Sequence, residues 1–597
     1  MRVIGRLLPT LCLCALAVTH VTAQRPAQTP ASDLTKVDSE EVHRTAVEDQ
    51  KSFEGARFGY LPVTRVVDAK TCPERAGGLC FRWGEDSPWT PGPNAPQIAI
   101  LRDTLVQRLD LLQQLDPGDD WILGQRVWYR GEAGDWSSAL AAARGCAGAT
   151  AWWRAVLEGL ALHELGRYAE AEASFRTALR EMPPEQARRW RIPQDIVSGE
   201  VAGLLDHADA GGRDTLLARL WQLADPLYLV PGNDRETAHY ARWTVATLKR
   251  EAVDPHRKAW DSSRRELLLR HGWERAWIRI RHPMHVFNND DVVGFDEPEG
   301  REFMPPASAM EDPSATAADD MVPTGGHTRD FYTPAYAHAF LPMDGQLAVF
   351  PRGDSMVVIA TAFVPADTTL SAREGRRWPW KEPSLGAGYP DAKGLFLMNP
   401  DGGEVRDAFK QGSGPAAFLI RAPAGRYVVS AEAWSPRRSI AGRRRQGLRD
   451  DSLPRDVATL SDLLLVDASR PEPKSLDSAA DDALPRTEIP SGSSVRLLWE
   501  LGGLGFHPEV VAYDVTVDRA HQALLRRVGR FFHLVGSHES LSLRWSEPGP
   551  PKPRVVLRSL KLDLKELDPG TYRIRVEARL AGRGSMASET LVRILPR

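Results

Sequence analysis

The best candidate for metal chemistry in this sequence is the segment RHPMHVFNNDD. It contains His282 and His285, followed by Asp290 and Asp291, and two imidazoles with a carboxylate can bind zinc or iron. The spacing of the two histidines does not match the histidine pair of a zinc-binding helix, and the aspartates belong to a stretch whose composition predicts a loop. A metal site here stays an alternative, and the sequence predicts no metal ligand and no cofactor.

A second group of reactive residue types is the run Ser537, His538 and Glu539. Adjacent side chains rarely point at one another, so this run is not a nucleophile with its base. The sequence contains no Gly-x-Ser-x-Gly elbow, no His-Glu-x-x-His pair and no glycine-rich phosphate or dinucleotide loop. The two carboxylates of a glycosidase need not be close in sequence, so a hydrolase remains open. We therefore assign no catalytic and no cofactor-binding residue.

The N-terminus has the pattern of a secretory signal peptide. Arg2 and Arg6 precede an apolar run over residues 7–18, and small residues end at Ala23. This pattern predicts a signal peptide over residues 1–23, cleaved near Ala23, and a mature chain that is periplasmic or secreted. A buried N-terminal helix is the alternative. We expect no transmembrane segment in the mature chain, because the rest of the sequence has no apolar run of sufficient length.

Length and charge limit the classes of function. The 597 residues carry a formal net charge of −3, which becomes two units more negative when Arg2 and Arg6 leave with the signal peptide. No basic surplus indicates nucleic-acid binding. The chain is too long for one hydrophobic core, and about three or four domains are expected.

Three cysteines remain after cleavage: Cys72, Cys80 and Cys146. In an oxidising compartment two of them are expected to pair, and the Gly77-Gly78 turn favours a disulfide between Cys72 and Cys80. A zinc site is the alternative, although two cysteines without a close histidine make a poor ligand set. Cys146 falls in a helical pattern, which predicts a buried thiol.

The elements that must position any site begin with a helical first half, from about residue 98. Within it, small and bulky residues alternate at the spacing of a 34-residue helical hairpin. The pattern resembles the tetratricopeptide repeat (TPR), and a weaker copy lies 32 residues upstream, with Gly134 and Trp136 in the places of Gly166 and Tyr168. The residues that match the repeat are Gly159, Tyr168, Ala171, Phe175, Ala178 and Pro183. The resemblance implies a protein or peptide partner on the concave face. The alternative is a hairpin that supports its own chain.

The segment that follows resembles the bacterial GWxTD-domain proteins over about 60 residues. Trp260 would stand for the tryptophan of the family motif and residues 267–272 for its strand and glycine, although Ala259 replaces the motif glycine. The residues that match the upstream pattern are Trp221, Asp225, Pro226, Asn233, Glu236 and Arg242. The resemblance implies a secreted bacterial protein without known catalytic residues.

Tryptophans accumulate where this helical pattern gives way to the strand-like segment AWIRIRH. They are Trp260, Trp273 and Trp277. We expect them to cover the junction between helix and strand. Exposed rings would instead suggest stacking on a sugar.

The second half is predicted to be rich in strands. Residues 286–343 are rich in Asp, Pro, Ala and Gly, which predicts a mobile loop or linker. Strand patterns follow, and the Arg352-Gly353-Asp354 triplet is interpreted as a hairpin turn. A turn followed by Tyr and an alternating strand occurs twice, at Tyr427 and Tyr572. It resembles the tyrosine corner of immunoglobulin-like and fibronectin-type sandwiches.

These patterns together predict a multidomain α-then-β protein with a TPR-like helical layer and two antiparallel β-sandwiches. The expected divisions are a signal peptide (1–23), an N-terminal extension with the disulfide loop (24–97), a helical domain (98–285), a loop (286–343), a sandwich (344–470), a linker (471–491) and a second sandwich (492–597). We expect a secreted, non-catalytic interaction protein. The alternative is an envelope-associated hydrolase that acts on carbohydrate or cell-wall material.

Overall fold

The computed structural model describes residues 38–64, 74–76, 79–81, 94–281, 291–295, 300–325, 328–337, 339–343, 345–364, 390–400, 405–520 and 540–596. Helices dominate the first part of these residues and strands the second, so the predicted order is confirmed. None of the helices in these ranges combines the length and the apolar character that a membrane span requires. The predicted signal peptide, Cys72 and the side chain of Cys80 lie outside the described residues.

Several helices of the helical region begin at a capping side chain. The side chains of Asp119, Asp135 and Asn233 each accept a hydrogen bond from a backbone N–H in the first turn of the next helix, which fixes where that helix starts. The described helices are α1 (Ser39–Tyr60), α2 (Pro96–Leu115), α3 (Asp120–Glu132), α4 (Trp136–Gly145), α5 (Ala151–Glu164), α6 (Tyr168–Glu181), α7 (Pro184–Arg191), α8 (Gly199–His207), α9 (Ala210–Ala224), α10 (Asp234–Arg250) and α11 (Ser262–His271).

Helices α1 to α6 form a continuous stack in which each helix packs against the next. The stack is continued by α10, which packs on α3, α5 and α6. Cys146, after α4, is a buried free thiol whose Sγ lies 3.3 Å from the carbonyl oxygen of Pro117. The predicted burial of this thiol is therefore confirmed.

A small mixed sheet lies beside the helices. Its strands are β1 (Val63–Thr64), β2 (Glu74–Ala76), β3 (Leu79–Phe81), β4 (Ala276–Ile280) and β5 (Asp291–Phe295), in the order β1-β4-β5-β3-β2. Strands β1 and β4 are parallel, whereas β4 and β5 are antiparallel. The strand expected in the sequence AWIRIRH is β4, and it follows α11 after Gly272, whose positive φ of 92° favours glycine.

The prediction of a mobile loop over residues 286–343 is wrong for its described part. This part contains β5, β6 (Arg301–Glu302), α12 (Ala307–Glu311), β7 (Thr324–Gly325) and β8 (Ala339–Pro342). Phe303, Tyr336 and Phe340 are buried in one core with Tyr168 of the helical region. The apolar residues have no regular spacing, so the polar and proline-rich composition hid a segment that packs irregularly against other elements.

The first β-sandwich follows. Its further strands are β9 (Leu347–Pro351), β10 (Ser355–Ala362), β11 (Ala392–Met398), β12 (Val405–Gln411), β13 (Ala416–Pro423), β14 (Gly425–Ser435) and β15 (Ile440–Asp450). One sheet has the order β13-β10-β9 and the other β12-β11-β14-β15-β8. Val358, Leu395 and Phe418 belong to the core between them. All pairs are antiparallel except β8 with β15. The Arg352-Gly353-Asp354 triplet forms the turn between β9 and β10, as interpreted from the sequence.

The second β-sandwich is built from two more sheets. Its elements are β16 (Thr459–Leu460), β17 (Leu464–Asp467), α13 (Leu476–Asp481), β18 (Glu488–Pro490), β19 (Ser494–Leu504), β20 (Val510–Arg519), β21 (Ser540–Pro548), β22 (Arg554–Asp563), β23 (Gly570–Leu580) and β24 (Gly584–Leu595). β16, β17 and β22 pair with β19, and the facing sheet has the order β18-β24-β23-β20-β21. Trp499, Tyr513 and Val576 belong to its core. Here too one pair, β18 with β24, is parallel.

Both tyrosines of the repeated turn motif bond to the backbone upstream. The hydroxyl of Tyr427 donates to the carbonyl oxygen of Pro423 at 3.0 Å, and that of Tyr572 donates to Asp568 at 3.0 Å. This is the hydrogen bond of a tyrosine corner, which closes the turn against the strand it feeds.

The boundary between the sandwiches differs from the prediction. β16 and β17, expected in the first sandwich, pair with β19 of the second. The expected linker 471–491 contains α13 and β18, and Leu476 of α13 is buried in one cluster with Phe350 and Ile359. The apolar run 463–466 includes most of β17. Because β17 pairs with β19, this segment belongs to the second sandwich.

Candidate functional site

The residues that match the TPR pattern lie at the crossing of α5 and α6. A Cβ atom on Gly159 would stand 2.7 Å from a ring carbon of Phe175, so this glycine allows the two helices their close approach. Ala171 and Ala178 are fully buried on α6, and Pro183 follows α6 at the start of α7. The structure therefore brings the pattern together in one hairpin.

The weaker upstream copy forms a matching hairpin. Gly134 lies between α3 and α4, and Gly166 lies between α5 and α6, with φ angles of 82° and 72°. Trp136 and Tyr168 begin the helix that follows each turn. The 32-residue spacing thus corresponds to two successive helical hairpins.

The large residues of the pattern are covered by the chain itself. The rings of Phe175 and Tyr240, which lies on α10, have centroids 5.5 Å apart. The ring of Tyr168 is 6.3 Å from that of Tyr336, and both rings are buried. A partner therefore has no access to Tyr168 or Phe175 in this structure.

The residues that match the GWxTD-like pattern gather around the start of α10. Asn233 is its N-cap: its Oδ1 accepts from the backbone N–H of Glu236 at 2.9 Å, and its Nδ2 donates to the carbonyl oxygen of Trp221 at 2.6 Å. Arg242, two turns further along, donates to the carbonyl oxygens of Leu269, at 2.9 Å, and Phe331, at 2.7 Å. These side chains order the backbone around them.

Buried arginines of β15 connect this region to the first sandwich. Arg443 donates to the carbonyl oxygen of Asp225 at 2.6 Å, and Arg445 donates to the carbonyl oxygens of Leu223 and Asp225, both at 2.9 Å. Arg445 also forms a fully buried ion pair with Glu432 at 3.0 Å. Arg445 is thus paired with an opposite charge inside the protein, whereas Arg443 bonds to carbonyl oxygens and its Nε has no hydrogen-bond partner among the described residues.

Two further buried charges pair between α10 and the segment 286–343. Arg235 and Asp330 are both fully buried and form a bidentate ion pair. Asp330 lies in the segment that was expected to be a loop. The sequence analysis also missed Arg235, Glu432, Arg443 and Arg445. The partner of each residue is far away in the chain or lies on a neighbouring strand.

Burial shifts the pKa values of carboxyls at the start of α10. Burial raises the pKa of Asp234 to about 7, against the hydrogen bonds that Tyr332 and Tyr336 donate to it. Burial, with the neighbouring charge of Glu172, raises the pKa of Glu236 to about 7. Asp234 is fully buried, so its unusual pKa concerns stability and does not mark a reactive surface.

A second group of charges surrounds a small cleft between α1, α3 and α10, which encloses about 320 Å³ including open solvent. Arg57 forms ion pairs with Glu54, at 3.0 Å, and with Glu132. The hydroxyl of Tyr129 donates to Glu54 at 2.8 Å. Burial raises the pKa of Glu54, and Arg57 opposes this shift. Both carboxylates of this group thus contact the guanidinium of Arg57, and Glu132 also lies 3.7 Å from Arg102.

The three tryptophans of the junction contact arginines. Arg264 lies over the ring of Trp260 at 5.0 Å, Arg57 over Trp277 at 4.6 Å and Arg275 over Trp273 at 5.6 Å. Trp277 is buried, whereas Trp260 and Trp273 are partly exposed. Trp277 lies on β4 and is buried in one cluster with Leu61, Ile98 and Val292.

An open cleft lies between the end of α5, α10, the turn after α11 and residues 331–335. It encloses about 610 Å³, including open solvent at its mouth. Its polar lining includes His163, Glu164, Arg242, His271, Arg275 and Thr333. Burial, together with the charges of Arg242 and Arg275, lowers the pKa of His163 to about 3. The imidazole of His163 is therefore neutral near pH 7.

The outer face of α2 is the second accessible feature of the helical region. Ile100, Leu111 and Leu115 are 65%, 62% and 53% exposed. Their spacing of 11 and 4 residues places them on one face of the helix. Leu111 and Leu115 are neighbours one turn apart, whereas Ile100 lies about three turns away, with Thr104 and Arg108 exposed between them. The two exposed leucines offer apolar surface to a protein partner.

The remaining sequence candidates lie outside the described residues. This holds for His282, His285 and Asp290, for the side chain of Asp291, and for Ser537, His538 and Glu539. In the part of the chain that is described, no group of three or more His, Cys, Asp or Glu side chains could hold a metal ion.

Comparisons with known proteins show no family. No family model matches the chain, and no curated protein matches it. The chain is similar to the solved structure of red sea bream transglutaminase, at 10% identity and a TM-score of 0.14, over 42% of this chain and 32% of that one. It is also similar to the FN1–FN3 domains of chicken CNTN1, at 12% identity and a TM-score of 0.13, over 42% and 66%. Scores this low carry no argument about function.

Proposed function

We propose that this chain is a secreted bacterial, non-catalytic interaction protein that binds a protein partner through its helical region. The observation that carries the proposal is the outer face of α2, where Ile100, Leu111 and Leu115 are more than half exposed. Exposed side chains of this size on one helix face would lose their contact with water in a complex, which favours association.

The TPR resemblance supports a partner on the helical region but not at the residues of the pattern. Tyr168 and Phe175 are buried beneath the chain's own α10 and residues 332–337. The hairpin of α5 and α6 therefore has a structural role. Helix α2 belongs to the same stack of helices, and its outer face is exposed. A partner would contact α2 rather than the crossing of α5 and α6.

The arrangement of carboxylates favours binding over hydrolysis. A glycosidase of the common type needs two carboxyl groups on opposite sides of the bond it cleaves. The cleft lined by His163 has one carboxylate in its described lining, Glu164. In the smaller cleft, Glu54 and Glu132 share the guanidinium of Arg57. These acids serve ion pairs within the chain.

The proposal is tested by affinity capture from a native envelope extract after mild cross-linking. The mature chain is compared with a Leu111→Ser, Leu115→Ser variant. A Leu591→Ser variant is the matched control, because Leu591 is 52% exposed on β24 of the second sandwich. We expect one protein to be enriched by the native chain and by the control, and to be lost with the α2 variant.

Circular dichroism and thermal unfolding establish that all three chains are folded. Equal enrichment by the α2 variant and the native chain would contradict the proposed surface. If the native chain enriches no protein at all, the interaction function itself is contradicted.

A further inference from the structure

The surface between α7 and α11 carries two arginines that contact the same aromatic ring. The guanidinium carbon of Arg189, on α7, lies 5.4 Å from the ring centroid of Trp243, and that of Arg265, on α11, lies 5.8 Å from it. Trp190 stacks on the same indole, with ring centroids 5.8 Å apart. Both tryptophans are buried. The stacked rings therefore hold two cations from different helices near one another.

Neither arginine has a carboxylate partner in the part of the chain that is described. The side chains of Arg189 and Arg265 form no ion pair there, and Nε of Arg265 is buried without an acceptor. Partial burial and the charge of Arg265 lower the pKa of Arg189, and Asp195 opposes this shift without forming an ion pair. Arg250 adds a smaller effect of the same sign as Arg265, although it pairs with Glu251 at 2.5 Å. Two like charges held together in this way repel each other, and an anion between them would remove the repulsion.

The surrounding charges make this surface positive. Arg188 and Arg191 of α7 are exposed and likewise form no ion pair with any described residue. The nearest carboxylates along the chain are Glu185 and Asp195. Four unpaired guanidinium groups on α7 and α11 therefore stand against two carboxylates. This surplus attracts an anion from solution.

We propose that Arg189 and Arg265 together bind a phosphate group at this surface. A phosphate monoester carries a charge of about −1.5 to −2 near pH 7 and three acceptor oxygens. It can therefore neutralise both guanidinium groups and accept hydrogen bonds from each of them. A carboxylate has a single charge and would leave one of the two arginines uncompensated. A soluble phosphate and the head group of phosphatidic acid share this chemistry.

The site uses no residue of α2, so it does not depend on the proposed partner surface. The Leu111→Ser, Leu115→Ser variant should bind phosphate as the native chain does. Failure of the partner surface and failure of the phosphate site are therefore seen in separate measurements.

The test is calorimetric titration of the full mature chain with inorganic phosphate and with acetate. Both titrations are made at the same ionic strength, so that the screening of charges is equal. We expect phosphate to bind roughly tenfold or more tightly than acetate, because it can bond to both guanidinium groups.

Sedimentation with vesicles distinguishes the two sources of the phosphate group. The vesicles consist of phosphatidylcholine alone or of phosphatidylcholine with phosphatidic acid. Sedimentation only with phosphatidic acid identifies a lipid head group. Binding of inorganic phosphate without sedimentation identifies a soluble phosphate.

Two double variants locate the site. Arg189→Gln, Arg265→Gln removes both cations and should weaken the binding of phosphate roughly tenfold or more. Arg167→Gln, Arg593→Gln is the matched control, because it removes two exposed positive charges that are paired with carboxylates elsewhere on the surface. The control changes the net charge by the same amount and should bind phosphate as the native chain does. Circular dichroism establishes that both variants are folded.

Three results would overturn the proposal. The first is that the native chain binds neither inorganic phosphate nor vesicles with phosphatidic acid. The second is that acetate binds as tightly as phosphate. The third is that Arg189→Gln, Arg265→Gln binds phosphate no more weakly than the control. The probe series uses the unmodified protein, so it decides the matter even where a variant does not fold.

Discussion

At the scale of single residues, this protein buries several ionisable groups and bonds them to its own side chains and backbone. Asp234 receives hydrogen bonds from Tyr332 at 2.7 Å and from Tyr336 at 3.4 Å. Arg235, the next residue in the chain, pairs with Asp330. His163 and His239 are buried and their pKa values are lowered to about 3. The free energy of unfolding must therefore depend on pH through several groups with opposite signs.

The contribution of Asp234 can be isolated by substitution. Its pKa is about 7 in the folded chain and about 3.9 when unfolded. Between these values the folded state binds more protons, so this group lowers the free energy of unfolding as pH rises from about 4 to about 7. In Asp234→Asn this loss is absent. The stability of the variant relative to the native chain should therefore improve over that interval and stay constant above it.

Urea denaturation at pH 5, 6, 7 and 8 measures this difference. The two histidines contribute with the opposite sign below pH 6.5, but they are present in both chains and cancel. An Asp320→Asn variant, at an exposed aspartate, serves as the control for the same substitution made outside the protein interior. A difference for Asp234→Asn that does not change between pH 5 and 7 would contradict the raised pKa.

At the scale of elements, the size of the side chains at a helix crossing sets the distance between the two helices. Gly159 lets α5 approach α6 so closely that the ring of Phe175 fills the place of a side chain. On α8, Gly203 has no atom within 4 Å of the Cβ position. Two helical glycines of the same chain therefore have opposite roles.

The two glycines should respond in opposite ways to the same substitution. Gly159→Ala forces the ring of Phe175 to move and should reduce the free energy of unfolding by about 1–3 kcal/mol. Gly203→Ala meets open space and raises helix propensity, so it should stabilise by about 0.5–1 kcal/mol. Urea denaturation of both variants measures the signs. A stabilising Gly159→Ala would mean that the crossing is looser than the structure shows.

The sequence predicts elements well where the pattern is local. The helical hairpin at Gly159, the turn at Gly353 and the tyrosine corners at Tyr427 and Tyr572 all depend on residues within a few turns of chain. The buried charges could not be found in this way. Arg235 and Asp330 are 95 residues apart, and Arg445 bonds a carbonyl 222 residues upstream. A single sequence gives no signal for such a pair, and polar composition made residues 286–343 resemble a loop.

At the scale of the whole molecule, the helical region and the first sandwich share their interior. Residues of α8, α9 and α12 are buried in one cluster with Phe396, Met398 and Val428 of the sandwich. Arg443 and Arg445 of the sandwich add hydrogen bonds to backbone carbonyl oxygens at residues 223–226. The two regions should therefore unfold together.

Removing one partner of the buried ion pair tests this coupling. Arg445→Met leaves Glu432 as an uncompensated buried charge and should cost about 3–5 kcal/mol. Arg421→Met is the matched control: its pair with Asp477, at 2.8 Å, is exposed and screened by water, so its loss should change the free energy of unfolding far less. Hydrogen exchange should show that α9 and β14 lose protection together in Arg445→Met. Loss of protection in β14 alone would contradict a shared unfolding unit.

The bond between Arg445 and the carbonyl oxygen of Leu223 also sets an order in time. A ribosome releases Leu223 long before Arg445, and 222 residues of chain must follow before the two groups can meet. Until then the carbonyl groups of Leu223 and Asp225 lack these donors, and Arg235 lacks Asp330 until 95 residues have followed. The helical region can therefore complete these hydrogen bonds only after strands that are synthesised much later. A fragment that ends at residue 285 stops the process at that stage.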